Sequence, residues 1–564
     1  MTRRIVLIGA TGFFGGRLAK HLATIDAIEL IVTSRDAARA QALAMRLKSG
    51  DCACTISGFA FDSRVNAAAA LAELKPFLVI DASGPFQSAN YELTKASIKA
   101  GAHWIDLADA SSYITGFAAQ LNAAARENGV TVIAGASSTP ALSTAAVEDL
   151  TRQWRRIDSV DIAIFPGGGG QVGLSVIQAL LTYAGRPIAI WRNGQRRETI
   201  GWGSVMRAHM PSLGVRYLSP VETADAFILP ERFAVTSRVM LYAGLESRLE
   251  QFGLLALAKL RARGWLKTLD WLAPWLEKAR YVTRVFASDK GGMTVDVAGL
   301  DADSKQTWSR WWLLAEKGEG PNVPILPALA MTRALLAGGI SPGARTAAGE
   351  LALATIETEM RALAIQTSRT AITAGSAGPF ALSCGTVSYC ALPSALRAFH
   401  DSDGATVWAG RADIDTGTGM LARLISRSFG FPEAGRDVPV TVSVDRKGLS
   451  ETWTRDFAST RFVSRLTYAG EGRVVEVFGP FKILLGVEVV GSEIIMPVAG
   501  WRLGSLRLPG FLAPESETRE YMDGEGRFCF DVRITVPLAG LLAHYRGWLT
   551  PGASDTRHFA ESDC

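Results

Sequence analysis

Short apolar runs alternate with helical patterns from residue 3 to about residue 136. Each run has the length of a strand, and the segments between the runs carry apolar residues at helical spacing. This alternation predicts βαβ units and a doubly wound parallel sheet over residues 1–145, which is an α/β fold. The strands are expected at 3–9, 28–34, 54–61, 77–82, 103–107 and 130–135.

The pattern changes after residue 145. "SVDIAIFPGGGGQVG" predicts a strand that runs into a glycine-rich loop. We therefore expect a second, α+β domain with a mixed or antiparallel sheet over residues 146–365, whose helix at 320–339 packs back on the first domain. The other elements expected here are helices at 173–184 and 351–365, two helical runs between 246 and 283, and strands at 234–243, 292–299 and 306–315.

The last third of the chain has mostly period-two alternation of apolar and polar residues, broken by Gly and Asp turns. This pattern predicts a C-terminal, mostly antiparallel β domain over 391–552, as a barrel, half-barrel or sandwich, with one helix at about 417–428. The small, polar residues from 366 predict an exposed linker over 366–390. Residues 553–564 are expected to form a tail.

The first predicted strand passes directly into "GATGFFGG", with glycines at Gly9, Gly12 and Gly15. A glycine-rich turn by itself is weak evidence of a ligand site. Here it follows an apolar strand, opens a helix and precedes a second strand at βαβ distance, which is the context of a dinucleotide-binding turn. The glycines allow a tight turn, a close approach of backbone N–H groups to the pyrophosphate, and close helix–strand packing.

Two further strand ends extend this prediction. The second strand ends "TSRD", where Arg35, with Arg39 beside it, can pair with a 2′-phosphate, so NADP is favoured over NAD. Asp36 leaves NAD open, because a small shift of the strand end would bring that carboxylate to the ribose. The fourth strand ends "DASGPFQ", and ligands of open α/β sheets lie at the carboxyl ends of strands. We expect cofactor contacts from Gly9, Thr11, Gly12, Phe13, Phe14, Gly15, Ser34, Arg35, Ala82, Ser83, Gly84 and Pro85.

Composition narrows the possible partners. The 59 basic and 54 acidic residues give a net charge of +5 without a basic run, so nucleic acid is not expected as a partner. The six cysteines lack paired metal spacing, and no signal peptide precedes the first strand, so we expect free thiols, no metal and a cytoplasmic location. A small-molecule substrate is expected, and the sequence predicts no particular oligomeric state.

"GATGFFGG", "DASGPFQSANYELTKASIKAGAHWIDLAD" and "GASSTPALS" together resemble the saccharopine dehydrogenase-like oxidoreductases over about residues 1–365. The segment from about 391 to 550, with "ETWTRDF" and "YRGWLTP", resembles domain of unknown function 4166. The first resemblance implies an NADP-binding Rossmann domain, a second domain that closes over the nicotinamide, and hydride transfer at a carbon bonded to nitrogen or oxygen. The basic groups that bind a substrate with several carboxylates are not found here, and "TPALS" stands where a Pro-Gly turn is common, so saccharopine is not expected as the substrate.

Candidate catalytic residues lie near the predicted mouth of the sheet. Asp106 and Asp109 fall at the end of the fifth strand by the family match, and Tyr91 lies in the preceding helical segment. Each also has a structural interpretation, since "DLADASS" is a good helix N-terminus and Tyr91 could pack under its helix. Gln171 in the glycine-rich loop and Ser138 in "GASSTPALS" are the candidate substrate contacts.

Two segments support an alternative function. Residues 249–283 are rich in Leu, Trp and basic residues, which suits either a packed helical hairpin or an amphipathic pair that lies on a membrane. The C-terminal β domain could enclose a lipid-like ligand or have a filled core. The main hypothesis is an NADP-dependent oxidoreductase. The alternative is a non-catalytic nucleotide-binding protein that binds lipid or a protein partner through these segments.

Overall fold

The computed structural model describes residues 2–552 apart from 66, 88, 170–173, 211–212, 277, 279–286, 374–377, 386–387, 390–391, 402–403, 459, 471, 505, 508, 510–512 and 538. The chain divides into two compact units. The first comprises Met1–Ala208, Ser212–Ser304 and Ser309–Arg369, and the second comprises His209–Pro211, Lys305–Trp308 and Thr370–Cys564. The first unit therefore holds both the doubly wound sheet and most of the α+β segment that we expected as a separate domain.

The N-terminal sheet has seven strands, which are numbered here along the chain. Its order is β15-β6-β5-β4-β1-β2-β3, and every adjacent pair is parallel. The doubly wound fold is therefore confirmed, and the seventh strand comes from a later segment that the sequence pattern did not reveal. The strands are β1 (Arg3–Ile8), β2 (Ile28–Ser34), β3 (Thr55–Ala60), β4 (Leu78–Asp81), β5 (His103–Asp106), β6 (Thr131–Ala134) and β15 (Gly343–Thr346).

Helices cover both faces of this sheet, which is why its strands are apolar runs rather than alternating ones. Ile5 and Leu7 of β1 belong to the core on one face, and Val6 and Ile8 belong to the core on the other. The covering helices include α1 (Phe13–Leu22), α2 (Ala37–Lys48), α3 (Ala67–Leu74), α4 (Glu92–Lys99) and α5 (Ser111–Glu127).

A second sheet of nine strands is mixed, as expected. β7 runs parallel to β12 and antiparallel to β13. The main path is β10-β11-β12-β7-β13-β14-β16, and β8 pairs with β12 and β9. The strands are β7 (Arg156–Phe165), β8 (Pro187–Arg192), β9 (Gln195–Ile200), β10 (Met206–Met210), β11 (Gly214–Val221), β12 (Arg238–Ala243), β13 (Gly291–Leu300), β14 (Gln306–Ala315) and β16 (Ile365–Thr373).

The expected linker at 366–390 is wrong over its first part. Residues 365–373 form β16, which pairs with β14, because "IQTSRTAIT" alternates polar residues with β-branched and small ones. A helix over Pro379–Cys384 occupies a later part of the same segment. The small, polar composition that suggested a linker is equally compatible with a strand.

Four helices around the second sheet lie where helices were expected, and two, at Ser143–Thr151 and Asp225–Phe233, were not predicted. The proline-interrupted segment forms a 3₁₀ turn at Gly320–Ile325 followed by α10, and both contact α1. The helices are α6 (Ser143–Thr151), α7 (Leu174–Tyr183), α8 (Asp225–Phe233), α9 (Arg248–Ala262), α10 (Leu326–Leu336) and α11 (Leu353–Met360).

The second unit contains a 13-stranded antiparallel sheet that curls into a half-barrel, one of the three predicted forms. Its order is β23-β24-β27-β28-β29-β17-β18-β19-β20-β21-β22-β25-β26. The strands are β17 (Ala405–Thr416), β18 (Gly435–Lys447), β19 (Ser450–Phe457), β20 (Thr460–Gly470), β21 (Arg473–Phe478), β22 (Phe481–Gly486), β23 (Glu488–Val490), β24 (Glu493–Ile495), β25 (Val498–Leu503), β26 (Leu506–Arg507), β27 (Glu515–Met522), β28 (Phe528–Val536) and β29 (Gly540–Pro551). The helices of this unit include α12 (Pro379–Cys384), α13 (Ser394–His400) and α14 (Met420–Phe429).

The Leu- and Trp-rich segment is described only in part, since 277 and 279–283 lie outside the described residues. Its first helix, α9, buries Leu254 and Ala258 and exposes Leu249. After the helix, Trp265 and Trp271 are also exposed. Among the described residues, no helix combines the length and the apolar character needed to span a membrane. Lipid contact through this segment stays a prediction.

Candidate functional site

The glycine turn after β1 packs directly against the loop after β4. Gly9 has a φ of +73°, and a side chain there would put its Cβ 2.8 Å from backbone atoms of Ala82 and Ser83. A Cβ on Gly15 would lie 2.1 Å from the carbonyl oxygen of Gly9. Residues other than glycine are therefore excluded sterically at two positions of the motif. The close approach of strand, turn and helix that a dinucleotide-binding turn needs is present.

The N-terminus of α1 is free to bind an anion. Gly12 is its N-cap, with no side-chain hydrogen bond and no acidic residue in the first turn. The Gly12 N–H donates to Gly9 O at 2.9 Å, which closes the turn. The following N–H groups belong to Phe13, Phe14 and Gly15, and the first N–H groups of a helix have no intrahelical partner. They suit the pyrophosphate of a dinucleotide, beside the exposed Thr11.

At the tip of β2, Asp36 already has a structural role. Its carboxylate caps α2 by accepting hydrogen bonds from the N–H groups of Ala38 at 2.8 Å and Arg39 at 3.3 Å. The Ser34 hydroxyl accepts from Asp36 N at 3.3 Å, and the Arg35 side chain is exposed. This geometry favours Arg35 over Asp36 as the group that meets the adenosine ribose, which agrees with a 2′-phosphate there.

A second arginine, which the sequence analysis missed, lies near Arg35. Arg64 follows β3 and pairs with Asp62 at 2.9 Å. Hydrogen bonds from Arg64, together with the charges of Arg64 and Arg35, lower the pKa of Asp62 to about 2. Arg35 and Arg64 thus lie around one carboxylate at the ends of neighbouring strands. The sequence does show that Arg64 comes shortly after the third strand. Only the strand order, with β3 beside β2, shows that Arg64 lies near Arg35.

The loop after β4 is shaped by a buried carboxylate. Asp81 accepts a hydrogen bond from Ser83 N at 2.8 Å, and burial raises its pKa. Ala82 N donates to Ile8 O at 3.0 Å, which continues the pairing of β4 with β1 into the loop. Ser83 and Pro85 are exposed beyond this point, with Gly84 between them. The four predicted cofactor residues therefore lie at the carboxyl edge of the sheet, next to the glycine turn.

Asp106 at the end of β5 is fully buried and fully hydrogen-bonded. Its Oδ1 accepts from the N–H groups of Ala108 at 3.0 Å and Gly135 at 2.8 Å. Its Oδ2 accepts from Trp104 Nε1 at 3.0 Å and from the Tyr113 hydroxyl at 3.2 Å. Burial raises its pKa to about 6, against the lowering effect of these hydrogen bonds. The carboxylate joins β5 to the loop after β6 and has no free acceptor for a substrate.

Tyr91 also points into the fold. Its hydroxyl donates to Tyr113 O at 2.6 Å, and its ring packs against Tyr113 and Phe117 at centroid distances of 4.9 and 5.6 Å. This is the packing interpretation that the sequence left open. The geometry offers neither Tyr91 nor Asp106 a position from which to exchange a proton with a substrate.

Asp109, by contrast, remains accessible to solvent. Gln87, from the loop after β4, donates through Nε2 to Asp109 Oδ1 at 3.3 Å. Two residues on, the Ser111 hydroxyl donates to Glu222, which follows β11. The side chain of Tyr183, at the end of α7, lies close enough to Glu222 and Gln87 for both to affect its pKa. One polar cluster thus forms from two loops of the parallel sheet and from two later elements. We call it the Asp109 cluster, and it consists of Gln87, Asp109, Ser111, Tyr183 and Glu222.

The electrostatics of the Asp109 cluster are those of neighbouring carboxylates. Neighbouring protein atoms displace water from the Asp109 carboxyl and raise its pKa, although part of the residue is exposed, and the charge of Glu222 raises the pKa further. Burial raises the pKa of Tyr183, with further contributions from Glu222 and Asp109, so its hydroxyl stays protonated. Glu222 Oε2 and Gln87 Oε1 are buried and accept no hydrogen bond of normal geometry within the described part of the chain. Buried acceptors usually have partners, and the nearby side chain that could serve both atoms is that of Tyr183.

Sequence reasoning found Asp109 but missed its partners. Gln87 stands in the quoted "DASGPFQ", so its position was in view. Tyr183 and Glu222 carry no motif and reach the sheet edge only through the second domain. Of the two substrate candidates, half-buried Ser138 opens a short helical turn after β6, whereas Gln171 lies outside the described residues. Within the described residues, no group of His, Cys, Asp and Glu has the arrangement of a metal site.

Comparisons with known proteins place two segments in families. Residues 5–133 match the family model of the saccharopine dehydrogenase NADP binding domain, and residues 392–549 match that of domain of unknown function 4166. No curated protein matches this chain by sequence. The chain thus contains an N-terminal saccharopine dehydrogenase NADP-binding domain and a C-terminal domain of unknown function, as the sequence motifs predicted. The first family supports NADP as the cofactor and an oxidoreductase relationship.

Among solved structures, the chain is similar to saccharopine dehydrogenase (L-Glu forming) from Saccharomyces cerevisiae. The identity is 15%, the match covers 65% of this chain and 100% of that chain, and the TM-score is 0.46. It is also similar to a meso-dapdh mutant from Clostridium tetani, with 13% identity over 64% of this chain and 99% of that chain, at a TM-score of 0.33.

Proposed function

We propose that this protein is an NADP-dependent oxidoreductase that moves a hydride between the nicotinamide and a carbon bonded to nitrogen or oxygen, with the Asp109 cluster as its reaction site. The observation that carries the proposal is the position of this cluster. Gln87 follows β4, which pairs with β1 and lies next to its glycine turn, and Asp109 follows β5, the next strand beyond β4. In open α/β sheets, ligands bind at the carboxyl ends of the strands near the change of strand order.

The residues of the cofactor cradle support this assignment. The glycine turn and the uncapped α1 fit the pyrophosphate, and Arg35 with Arg64 fits a 2′-phosphate. Ala82, Ser83, Gly84 and Pro85 continue the same edge toward Gln87 and Asp109. The proposed cofactor contacts are therefore the predicted set, namely Gly9, Thr11, Gly12, Phe13, Phe14, Gly15, Ser34, Arg35, Ala82, Ser83, Gly84 and Pro85, extended by Arg64.

The Asp109 cluster supplies the groups that hydride transfer requires. Bound NADPH supplies the hydride, and the protein needs a proton donor or acceptor near the reacting atom. Asp109 is accessible, and its raised pKa lets it hold and release a proton nearer to neutral pH than an ordinary aspartate. The protonated Tyr183 hydroxyl can donate a hydrogen bond to a carbonyl oxygen or an imine nitrogen. Gln87 fixes the Asp109 carboxylate through its 3.3 Å hydrogen bond.

The charge of the cluster favours substrates that contain nitrogen. The charged neighbour that acts on Asp109 is another carboxylate, Glu222, whose buried Oε2 accepts no hydrogen bond of normal geometry within the described residues. An amine or protonated imine would satisfy Glu222 Oε2 and offset the two negative charges. A carboxylate placed there would add to them. We therefore propose an amine or imine as the reacting group, with Asp109 as the acid or base and Glu222 as the partner of the nitrogen.

The experiment has two stages. The purified protein is first mixed with NADPH, NADP⁺, NADH and NAD⁺, and its thermal shift is recorded. The loss of NADPH absorbance is then followed with a panel of imines, formed from amines and carbonyl compounds, and with the carbonyl compounds alone. Stabilisation by NADPH with turnover of imines supports the proposal, and the absence of stabilisation by any of the four cofactors contradicts it.

Three variants connect the activity to the cluster. Asp109→Asn and Glu222→Gln should keep the NADPH thermal shift but lose most of the turnover, since neither residue is proposed to bind the phosphates. The control is Glu73→Gln, an exposed carboxylate on α3. NADPH binding without turnover across the whole panel would favour the alternative, a non-catalytic nucleotide-binding protein.

A further inference from the structure

The half-barrel of the second unit encloses a cavity within its curled sheet. The space open to the centre of a water-sized molecule is ≈ 100 Å³, inside a void of ≈ 900 Å³ that includes solvent at its mouth. The lining is mostly apolar and comes from strands along most of the sheet, for example Phe457, Leu466, Ile483, Leu485 and Val532. This space is smaller than the apolar cavity of about 150 Å³ that holds a benzene ring in another protein, so part of a ring-sized ligand would extend into the wider void at the mouth. The core of this domain is therefore not completely filled.

The charged groups of the cavity wall already have partners. Arg455 donates through Nη1 to the Ser464 hydroxyl at 2.8 Å and lies 3.4 Å from Glu476 Oε1. The Ser464 hydroxyl in turn donates to Glu476 Oε1 at 2.7 Å. Glu520 faces His400 at 2.8 Å. Among the wall residues that the structure describes, no cation is left unpaired for an anionic ligand, and a neutral ligand faces no unpaired charge.

One polar group of the wall has no partner. Tyr545 lines the cavity and is 6% exposed, with its ring packed against Phe457 and Phe530. Its hydroxyl makes no hydrogen bond to any residue that the structure describes and keeps some accessible surface, so a molecule in the cavity can reach it. Burial raises the pKa of Tyr545 to about 12, so the hydroxyl is protonated and can donate.

We propose that this cavity is a binding site for a neutral, largely apolar molecule of about the size of one ring or a short alkyl chain, whose single hydroxyl or carbonyl oxygen accepts a hydrogen bond from Tyr545. The apolar wall supplies the affinity through burial of the ligand. The hydroxyl of Tyr545 orients the ligand and distinguishes it from a hydrocarbon of the same shape. The site lies wholly within the second unit and does not depend on the proposed oxidoreductase activity.

The test uses the full chain and three ¹⁹F probes of one shape: 4-fluorobenzyl alcohol, 4-fluorotoluene and 4-fluorobenzoate. Dissociation constants are obtained from ¹⁹F line broadening during titration. The alcohol should bind best and the benzoate worst. Tyr545→Phe should weaken the alcohol about 3- to 10-fold, the effect of one net hydrogen bond, and leave 4-fluorotoluene unchanged. Tyr521→Phe, at a half-buried position of β27 outside the cavity lining, is the matched control.

A second pair of variants tests the position of the ligand without the tyrosine. Val532→Phe adds bulk to the cavity wall at a half-buried position, and Val463→Phe adds the same bulk at an exposed position of β20. Val532→Phe should weaken the alcohol and 4-fluorotoluene alike, and Val463→Phe should weaken neither. The proposal is overturned if no probe binds the wild-type protein, if the benzoate binds more tightly than the alcohol, or if Tyr545→Phe weakens the alcohol and 4-fluorotoluene equally.

Discussion

Gln87 Nε2 donates a hydrogen bond to Asp109 Oδ1 at 3.3 Å, and so joins the loops that follow β4 and β5. The two residues are 22 positions apart in the chain. They meet because β4 and β5 are parallel neighbours, with Asp81 beside Asp106 at the last pair of the ladder. Parallel neighbours deliver their following loops to the same edge of a sheet, and this edge is where the glycine turn lies.

The first prediction concerns the acid–base role of Asp109. Asp109→Asn should lower kcat in the imine assay by about 10²- to 10⁴-fold, the usual contribution of general acid–base catalysis. In the reductive direction the acid must be protonated, so the wild-type rate should fall as pH rises through the raised pKa of Asp109. The variant should lack this descending limb. A wild-type pH profile that Asp109→Asn leaves in place would assign the proton transfer to another group.

The second prediction concerns the 2′-phosphate. Arg35→Ala should weaken NADPH binding about 10- to 100-fold and leave NADH unchanged, because a charge-assisted hydrogen bond is worth about 1.5–3 kcal/mol. Arg64→Ala should act in the same direction with a smaller effect, since Arg64 shares its charge with Asp62. Titration by NADPH fluorescence measures both. Lys48→Ala, at the far end of α2, is the control, and an equal loss of NADPH and NADH in Arg35→Ala would refute the phosphate contact.

The third prediction separates two adjacent glycines. A Cβ at Gly15 would lie 2.1 Å from Gly9 O, whereas a Cβ at Gly16 would lie 3.4 Å from Ala10 O. Gly15→Ala should therefore destabilise the protein by about 1–3 kcal/mol or more and reduce the thermal shift with NADPH. Gly16→Ala should be neutral or slightly stabilising, because alanine favours the helix. Melting temperatures with and without NADPH test this, and similar behaviour of the two variants would contradict the packing.

The fourth prediction concerns stability and the buried carboxyl of Asp106. Its folded pKa of about 6 lies above the ordinary aspartate value, so the folded protein holds this proton more tightly than the unfolded chain. The contribution of this group to stability is full below about pH 4 and is lost as pH rises through about 6. The loss amounts to about 3 kcal/mol.

Asp106→Asn cannot ionise and should show a flatter dependence of melting temperature on pH between 4 and 7. The variant will start from a lower stability, because an amide NH₂ would face the Trp104 Nε1–H donor. The measurement is therefore the slope of melting temperature against pH and not the melting temperature itself. Asp26→Asn, at an exposed position, should keep the wild-type slope, and an unchanged slope in Asp106→Asn would argue against the raised pKa.

The N-terminal sheet followed from local information. Each of its first six strands is a short apolar run bounded by turn residues. Of the glycines after β1, Gly15 is required by a contact within its own strand–turn–helix unit, whereas Gly9 also meets the loop after β4. These features need few long-range contacts, so they were predictable. The linker prediction failed because strand pairing with β14 is a long-range contact. Without knowledge of that partner, the small polar residues near 366–373 fit a strand as well as a loop.

The sequence by itself determined the dinucleotide turn, the expectation of NADP and the apolar or alternating strand patterns of the three sheets, since these patterns lie within short stretches of the chain. Asp106 and Asp109, three residues apart, could not be told apart in this way. Only the tertiary structure decided that Asp106 binds four donors of the fold and that Asp109 binds Gln87 within the charge of Glu222. It also decided that the curled sheet leaves a cavity beside Tyr545. Both outcomes depend on packing between elements distant in the chain, and no local pattern encodes which side chains will meet there.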